Sequence, residues 1–214
     1  MGLFGGKAGS SGITAGAARI PRHSSGWVQL SKHLGAKESL RILDIGPTSA
    51  GNINFITNLG HSIYMANLVE DAARPEYSIT QALGPDAGKV VLDVDRYLKE
   101  NLDFAGRTFD VVTLWDTLDY LPAPLVEPVL DRIHHVMEPG GQLLAFFHSK
   151  LTGDDVTFSR YHLTPTDQLQ MQRIGIHPVR QTFTTRQVET LFKRYQSHKF
   201  FLAKDTIREV IVIR

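Results

Sequence analysis

Apolar residues along the chain alternate between short continuous runs and stretches with helical spacing. The first helical stretch ends at Gly35 and contains Trp27, Leu30 and Leu34. The segment LRILDIG follows it and predicts a buried strand. The next helical stretch ends at Gly60 and contains Ile53, Phe55, Ile56 and Leu59. This order predicts a strand that turns directly into a helix.

The same alternation continues over the middle of the chain. HSIYMANL predicts a second strand, AGKVVLDVD a weaker third, RTFDVVTLWD a strong fourth and GQLLAFFHS a fifth. A helix is predicted before the fifth strand by the apolar residues Val126, Val129, Ile133 and Met137. Continuously apolar strands that alternate with helices are typical of a parallel sheet covered on both faces.

The last third of the chain departs from this alternation. Residues 150–183 show no clean period, and a segment of that length predicts a lid or an acceptor-binding insertion. Thr184 and Gln187 then form a capping-box pattern before a helix. Two final strands, HKFFLAK and TIREVIVIR, are joined so closely that they must be antiparallel. The predicted fold is α/β and doubly wound, with a mostly parallel seven-stranded sheet and an antiparallel C-terminal hairpin.

Composition limits the classes of function. The 214 residues are 42% hydrophobic with a formal net charge of +1, so nucleic acid and membrane partners are not expected. Without cysteine there is neither a disulfide nor a thiolate metal site. We expect a flexible Gly/Ser/Ala-rich tail over residues 1–25, a single domain over 26–214 and a cytoplasmic location, whereas the oligomeric state stays open.

Three motifs in this order carry a resemblance to a known family. ILDIG, FDVVTLWDTLDYLP and VMEPGGQLLAF resemble the first, fourth-strand and fifth-strand motifs of class I S-adenosylmethionine-dependent methyltransferases, and the similarity covers residues 38–214. The resemblance implies a Rossmann-like fold, methyl transfer as the activity and S-adenosyl-L-methionine as the cofactor. The acceptor it would methylate is expected to be a small molecule, because no basic patch with interleaved aromatic residues occurs.

The turn after the first strand is the predicted cofactor loop. Gly46 permits a tight turn and a close approach of a ligand to the backbone. In the family's manner, Asp44 would help to hold the cationic amino group of the cofactor, although it alternatively only caps the turn. The loop GPTSAGN lacks the usual alternating glycines, and hydroxyl groups on Thr48 and Ser49 are the expected substitutes as donors, with Gly51 one position late.

The resemblance places further cofactor contacts at the ends of later strands. Asn67 stands where the family usually has a carboxylate for the ribose hydroxyls, and Glu70 is the alternative. Asp93, or else Asp95, would accept from the adenine amino group. Trp115 would line the cofactor at the end of the fourth strand.

Two residues are the candidates for catalysis. Asp116 follows Trp115 at the edge that binds ligands and would orient the acceptor, and His148 follows the fifth strand and would act as a base. No metal site is expected, since His134 and His135 are adjacent and point to different faces of one helix.

Three functions remain in competition. The leading hypothesis is an S-adenosylmethionine-dependent methyltransferase. The degenerate loop and the missing carboxylate leave open a non-catalytic binding or scaffolding relative that has lost cofactor binding. A nicotinamide-dependent oxidoreductase is disfavoured, because no G-x-G-x-x-G sequence opens the first helix.

Overall fold

The computed structural model describes residues 17–82, 84, 87–150, 158–175, 177–201 and 205–214. The strands are β1 Arg19–His23, β2 Arg41–Ile45, β3 Ser62–Ala66, β4 Ser78–Thr80, β5 Val90–Leu92, β6 Phe109–Trp115, β7 Met137–His148, β8 Phe158–His162, β9 Gln168–Gly175, β10 Ser197–Phe201 and β11 Ile207–Ile213. The helices are α1 Ser25–Gly35, α2 Ala50–Asn58, α3 Leu68–Asp71, α4 Val94–Asn101, α5 Thr117–Tyr120, α6 Ala123–Val136 and α7 Thr185–Leu191.

A six-stranded sheet forms the centre of the described fold, in the order β10-β11-β7-β6-β2-β3. The four strands from β3 to β7 are parallel, and helices connect each to the next along the chain. β11 pairs antiparallel with β7 and with β10. This confirms the predicted α/β class, the mostly parallel sheet and the antiparallel terminal hairpin.

Side chains alternate between two apolar layers, one on each face of the sheet. On β2, Leu43 and Ile45 join the layer that includes α4 and α6, whereas Ile42 joins the layer that includes α1 and α2. On β6, Val112 and Val111 divide in the same way. The period of two along each strand therefore buries both faces, as expected for a parallel sheet between helices.

The prediction of seven strands in this sheet is wrong by one strand. The segment AGKVVLDVD does contain a strand, β5, but it pairs antiparallel with β4 in a separate two-stranded sheet. β5 has only three residues, and Val90 is 71% exposed. So short and exposed a strand has little apolar surface to bury against β3, which explains why it does not extend the main sheet.

The remaining three strands form a small antiparallel sheet, in the order β1-β9-β8, which we call the cap. Two of them lie in the segment 150–183, for which no regular structure was predicted. The third, Arg19–His23, lies within the predicted tail, so the tail boundary at residue 25 was wrong. Its register against β9 and the buried side chain of Arg22 explain why this segment is ordered. Residues 1–16 and 151–157 lie outside the described residues.

Several local predictions are confirmed. α1 buries Trp27, Leu30 and Leu34, which are the residues that defined its spacing. Thr184 and Gln187 form the predicted capping box of α7 through reciprocal hydrogen bonds. Whether residues 26–214 behave as one domain, and whether the segment 150–183 acts as a lid, stay predictions.

Candidate active site

The order of the strands locates a crevice at one edge of the main sheet. The chain leaves β2 through α2 to reach β3 on one side, and β6 flanks β2 on the other. In open α/β sheets, ligands bind where the connections diverge, outside the carboxyl ends of the strands. Here that point lies between Gly46, after β2, and Trp115, at the end of β6. We call this space the crevice.

Asp44 is buried beside the crevice, with 3% of its surface exposed. Its Oδ1 atom accepts hydrogen bonds from Thr113 Oγ1 at 2.6 Å and from Trp115 Nε1 at 2.7 Å, and its Oδ2 atom accepts one from Thr48 Oγ1. Burial raises the pKa of Asp44, and these hydrogen bonds oppose the rise. Both oxygens of the predicted cofactor ligand thus bind groups of the protein itself.

Gly46 and Trp115 meet across the crevice. Gly46 has φ of +152°, and a Cβ atom placed on it would lie 3.1 Å from Trp115 Cδ1, so glycine is required here. The Gly46 amide donates to Ala66 O at 2.8 Å. Trp115 itself has φ of +47°, a conformation that strains a bulky residue by roughly 1–3 kcal/mol. Such strain persists only where the surroundings fix it, and it points to a functional position.

The polar residues of the predicted cofactor loop form the start of α2. Ser49 is the N-cap, and its Oγ accepts from Asn52 N at 3.2 Å. Gly51 lies in the first turn of the helix, where a Cβ atom would make only ordinary contacts, so no close approach requires glycine there. Asn52 is buried on the inner face of α2, four residues before Ile56.

The strand β8 of the cap lies against this loop. Arg160 Nε donates to Pro47 O at 2.9 Å, and His162 Nδ1 lies 3.0 Å from Ser49 Oγ. Asn52 makes two bonds to the backbone of the same strand and its continuation, from Nδ2 to Tyr161 O at 2.9 Å and from Leu163 N to Oδ1 at 2.9 Å. The cap is thereby fastened to the predicted cofactor loop.

The ring of Tyr161 covers Trp115. The two ring centroids are 5.0 Å apart with 14° between the planes, which is a stacked arrangement. Both side chains are buried, with 2% and 3% of their surface exposed. Tyr161 Oη donates to Asp116 Oδ2 at 3.0 Å. The stack therefore connects the crevice to the next predicted site residue.

Asp116 begins a buried acidic cluster at the ends of β6 and β7. Asp119 Oδ2 accepts from the main-chain N–H of His148 at 2.6 Å and lies 2.8 Å from His148 Nδ1. Asp116, Asp119 and His148 are each at most 3% exposed. The structure thus brings together the two predicted catalytic residues, Asp116 and His148, with Asp119 as their neighbour.

Burial gives this cluster unusual proton affinities. It raises the pKa of Asp116 to about 6, an effect that His148 opposes and Asp119 reinforces. Burial also raises the pKa of Asp119, although its bonds to His148 lower it. One oxygen of each carboxylate, Oδ1 in both cases, accepts no hydrogen bond within the part of the chain that the structure describes. Buried acceptors of this kind are uncommon and indicate a missing partner.

The other predicted cofactor residues lie at the starts of helices. Asn67 precedes α3, and its Oδ1 atom is buried without a hydrogen-bond partner among the described residues. Asp93 caps α4 by accepting from Arg96 N at 3.1 Å. The described contacts do not join Asp93 to Asp44 or Trp115. The roles of Asn67 toward ribose and of Asp93 toward adenine stay predictions.

Sequence reasoning missed two residues of this site. Thr113 supplies a bond to Asp44 from within β6, and Asn52 fastens the cap to α2. Each is a polar residue at a position where the apolar period of its element points inward. That interruption of the period was the available signal, since a buried polar group normally has a partner.

The crevice as described does not accommodate S-adenosylmethionine. The donor and acceptor chemistry fits, because a carboxylate and several hydroxyl groups surround Gly46. The space does not, because Trp115 contacts Gly46 and Tyr161 covers Trp115, and Asp44, Gly46 and both rings are buried. A ligand that contacts Gly46 and Asp44 must displace these side chains.

Neither membrane nor metal binding has support from the described residues. None of the described helices is long and apolar enough to cross a membrane. Over the same residues, no three histidine or acidic side chains are grouped in a way that would hold a metal ion.

Comparisons with known proteins agree with the motifs. A family model described as a methyltransferase domain matches residues 22–196. No curated protein matches the sequence. Among solved structures, the chain is similar to the 1,6-didemethyltoxoflavin-N1-methyltransferase of Burkholderia thailandensis, with 13% identity over 88% of this chain and 76% of that one and a TM-score of 0.47.

Two further structures show a similar degree of likeness. The PH0226 protein of Pyrococcus horikoshii is 15% identical over 88% of each chain, with a TM-score of 0.49. The CcbJ methyltransferase of Streptomyces caelestis is 14% identical over 88% of this chain and 93% of that one, with a TM-score of 0.48. The family model spans most of the chain and, with the motifs at ILDIG and FDVVTLWD, decides the assignment. The chain is a member of the class I S-adenosylmethionine-dependent methyltransferase family.

Proposed function

We propose that this enzyme methylates a small molecule that loses a proton from oxygen or nitrogen during the reaction. Bound S-adenosylmethionine supplies the electrophilic methyl group. The single observation that supports this acceptor class is the buried cluster of Asp116, Asp119 and His148 beside the crevice. A methyl acceptor without a proton to lose needs no such cluster, because positioning alone serves it.

Two carboxylate oxygens provide the recognition of the acceptor. Oδ1 of Asp116 and Oδ1 of Asp119 accept no hydrogen bond from the described residues. A hydroxyl or amino group on the acceptor would donate to one of them and offset the cost of burying that oxygen, roughly 1–3 kcal/mol. Asp116 is the candidate for orienting the acceptor, because its other oxygen is already held by Tyr161 at 3.0 Å.

His148 is the candidate for the base, and Asp119 positions it. A carboxylate oxygen at Asp119 Oδ2 only accepts, so its bond to Nδ1 places the ring proton there and leaves Nε2 as the basic nitrogen. The bond from the His148 main chain to the same oxygen fixes the ring further. Proton transfer of this kind contributes about 10²- to 10⁴-fold to rate.

The proposal is tested by methyl transfer to a panel of small acceptors. The panel holds phenols, alcohols, carboxylic acids and amines, together with thioethers, which have no proton to lose. S-adenosylhomocysteine formation is measured with wild type, His148→Gln and Asp116→Asn. We expect turnover with a proton-bearing member and at least a 10²-fold loss of kcat in His148→Gln.

The matched control is His135→Gln, on α6, outside the acidic cluster. It is expected to retain the wild-type kcat. Turnover with thioethers alone, or equal kcat in wild type and His148→Gln, would refute the proposed acceptor class.

A further inference from the structure

The space that the cofactor needs is filled by the chain itself. Trp115 lies against Gly46, and Tyr161 of the cap stacks on Trp115 at 5.0 Å. We infer that the cap is a removable plug, and that S-adenosylmethionine binds only after Tyr161 and β8 leave the crevice. This inference rests on the proposed use of S-adenosylmethionine by the chain.

Polar contacts to the cofactor loop hold the plug at its inner edge. Arg160 binds Pro47 O, and His162 lies within hydrogen-bond distance of Ser49 Oγ. These contacts use loop atoms that face the same side as the predicted cofactor. They are few and lie between half-buried residues of the loop, so a ligand can replace them.

A stronger set of contacts holds the plug at its outer edge. Arg22 of β1 binds Glu209 Oε1 at 2.5 Å and Asp205 Oδ2 at 2.6 Å, and Ser24 Oγ donates to Glu209 at 3.0 Å. Trp27 Nε1 donates to Thr164 O at 3.1 Å. The cap therefore stays attached to α1 and to the terminal hairpin when its inner edge opens, which is the arrangement of a hinged cover.

The strained backbone of Trp115 fits the same interpretation. Its φ of +47° directs the indole across Gly46, where Nε1 reaches Asp44. In this position Trp115 takes the hydrogen-bond acceptor that the family uses for the cofactor. Release of the stack with Tyr161 frees both the acceptor and the space in one movement.

A plug lowers apparent affinity by the fraction of molecules that are open. Weakening its inner contacts must therefore tighten cofactor binding, which is the opposite of what a residue that touches the cofactor would do. Loss of one neutral or charged hydrogen bond from the closed state corresponds to roughly a 2- to 10-fold increase in affinity.

Calorimetric titration of S-adenosylmethionine and S-adenosylhomocysteine into the full chain tests this. Arg160→Ala and His162→Ala weaken the inner edge. His23→Ala is the matched control, because its pair with Asp167 joins exposed residues of the same cap at 3.0 Å. We expect about 2- to 10-fold tighter binding in the first two variants and unchanged binding in His23→Ala. Circular dichroism verifies the fold of each.

A second measurement uses the indole itself. The chain has two tryptophans, so Trp27→Phe leaves Trp115 as the only one. Addition of S-adenosylhomocysteine should increase quenching of its fluorescence by acrylamide, because the stack with Tyr161 opens.

The outcomes separate the plug from the proposed function. Weaker or unchanged binding in Arg160→Ala and His162→Ala overturns the plug, as does Trp115 fluorescence that the ligand leaves unchanged. If neither wild type nor the loosened variants bind either ligand at millimolar concentration, the proposed function itself falls.

Discussion

The indole of Trp115 donates a 2.7 Å hydrogen bond to the buried carboxylate of Asp44. These residues end two neighbouring parallel strands, where a bound ligand is expected in this fold. Their bond means that Asp44 has a structural role in the closed protein in addition to the cofactor role that the motif implies. The two roles give separate predictions.

Substitution of Asp44 is expected to destabilise the fold. Asp44→Ala leaves the donors of Thr48, Thr113 and Trp115 without their acceptor, at a cost of about 1–3 kcal/mol in the free energy of unfolding. Urea denaturation measures it. Asp44→Asn keeps one acceptor oxygen and should lose less. Equal stability of wild type and Asp44→Ala would show that these bonds contribute nothing.

The N-terminal strand is expected to stabilise the protein through Arg22. Its guanidinium is 6% exposed and binds Glu209, which is 1% exposed. Arg22→Ala leaves the Glu209 charge buried without its ion pair, and breaking such a pair costs about 3–5 kcal/mol. Thermal denaturation should show a clear fall in Tm. Arg19→Ala, at an exposed position of the same strand, is the control, and an equal Tm in the two variants would contradict this account.

Stability is expected to fall as the pH rises through the titration of Asp116. Its pKa is raised to about 6 in the folded protein from an ordinary value of 3.8, so the folded state binds the proton more tightly. Asp116 thus gives its full stabilisation below pH 4 and loses about 3 kcal/mol of it as the pH rises past 6. Denaturation at a series of pH values measures this.

Asp116→Asn should remove that part of the pH dependence. Burial shifts the pKa of Asp44 and of Asp119 in the same direction, so a smaller fall is expected to remain in the variant. A wild-type profile that rises between pH 4 and pH 6, with the same rise in Asp116→Asn, would show that the carboxylate is not buried in this way.

Asp119 is expected to act on the reaction through His148. Asp119→Asn keeps the shape but replaces an acceptor-only carboxylate, so the histidine ring loses its fixed tautomer. We expect a fall in kcat of about 10²-fold, with the KM for S-adenosylmethionine little changed and the pH profile of kcat displaced. If KM changes while kcat and the pH profile do not, Asp119 has no part in positioning the base.

The periodic parts of the fold were predictable because burial imposes a period. α1, β2, β6 and the terminal hairpin all follow from apolar spacing, and the capping box of α7 follows from two residues three apart. β5 was misplaced, because three apolar residues do not reveal which strand they pair with. Pairing between distant segments, such as β1 with β9, leaves no local signal in the sequence.

The site was predictable as a set of positions and not as a set of contacts. The motif located Asp44, Gly46 and Trp115 at the ends of parallel strands, which is a consequence of the topology. That Trp115 binds Asp44, and that Tyr161 stacks on Trp115, depends on side-chain packing from a segment more than forty residues later. The sequence therefore pointed to the crevice without indicating that the chain fills it.

The most direct test of the central claim is calorimetric titration of S-adenosylmethionine and S-adenosylhomocysteine into the wild-type chain and into Gly46→Val. A valine at Gly46 adds side-chain atoms between the loop and Trp115, where a Cβ atom already lies 3.1 Å from Cδ1. The account predicts that wild type binds both ligands and that Gly46→Val, if circular dichroism shows it folded, binds neither. Absence of binding to wild type at millimolar concentration would contradict it.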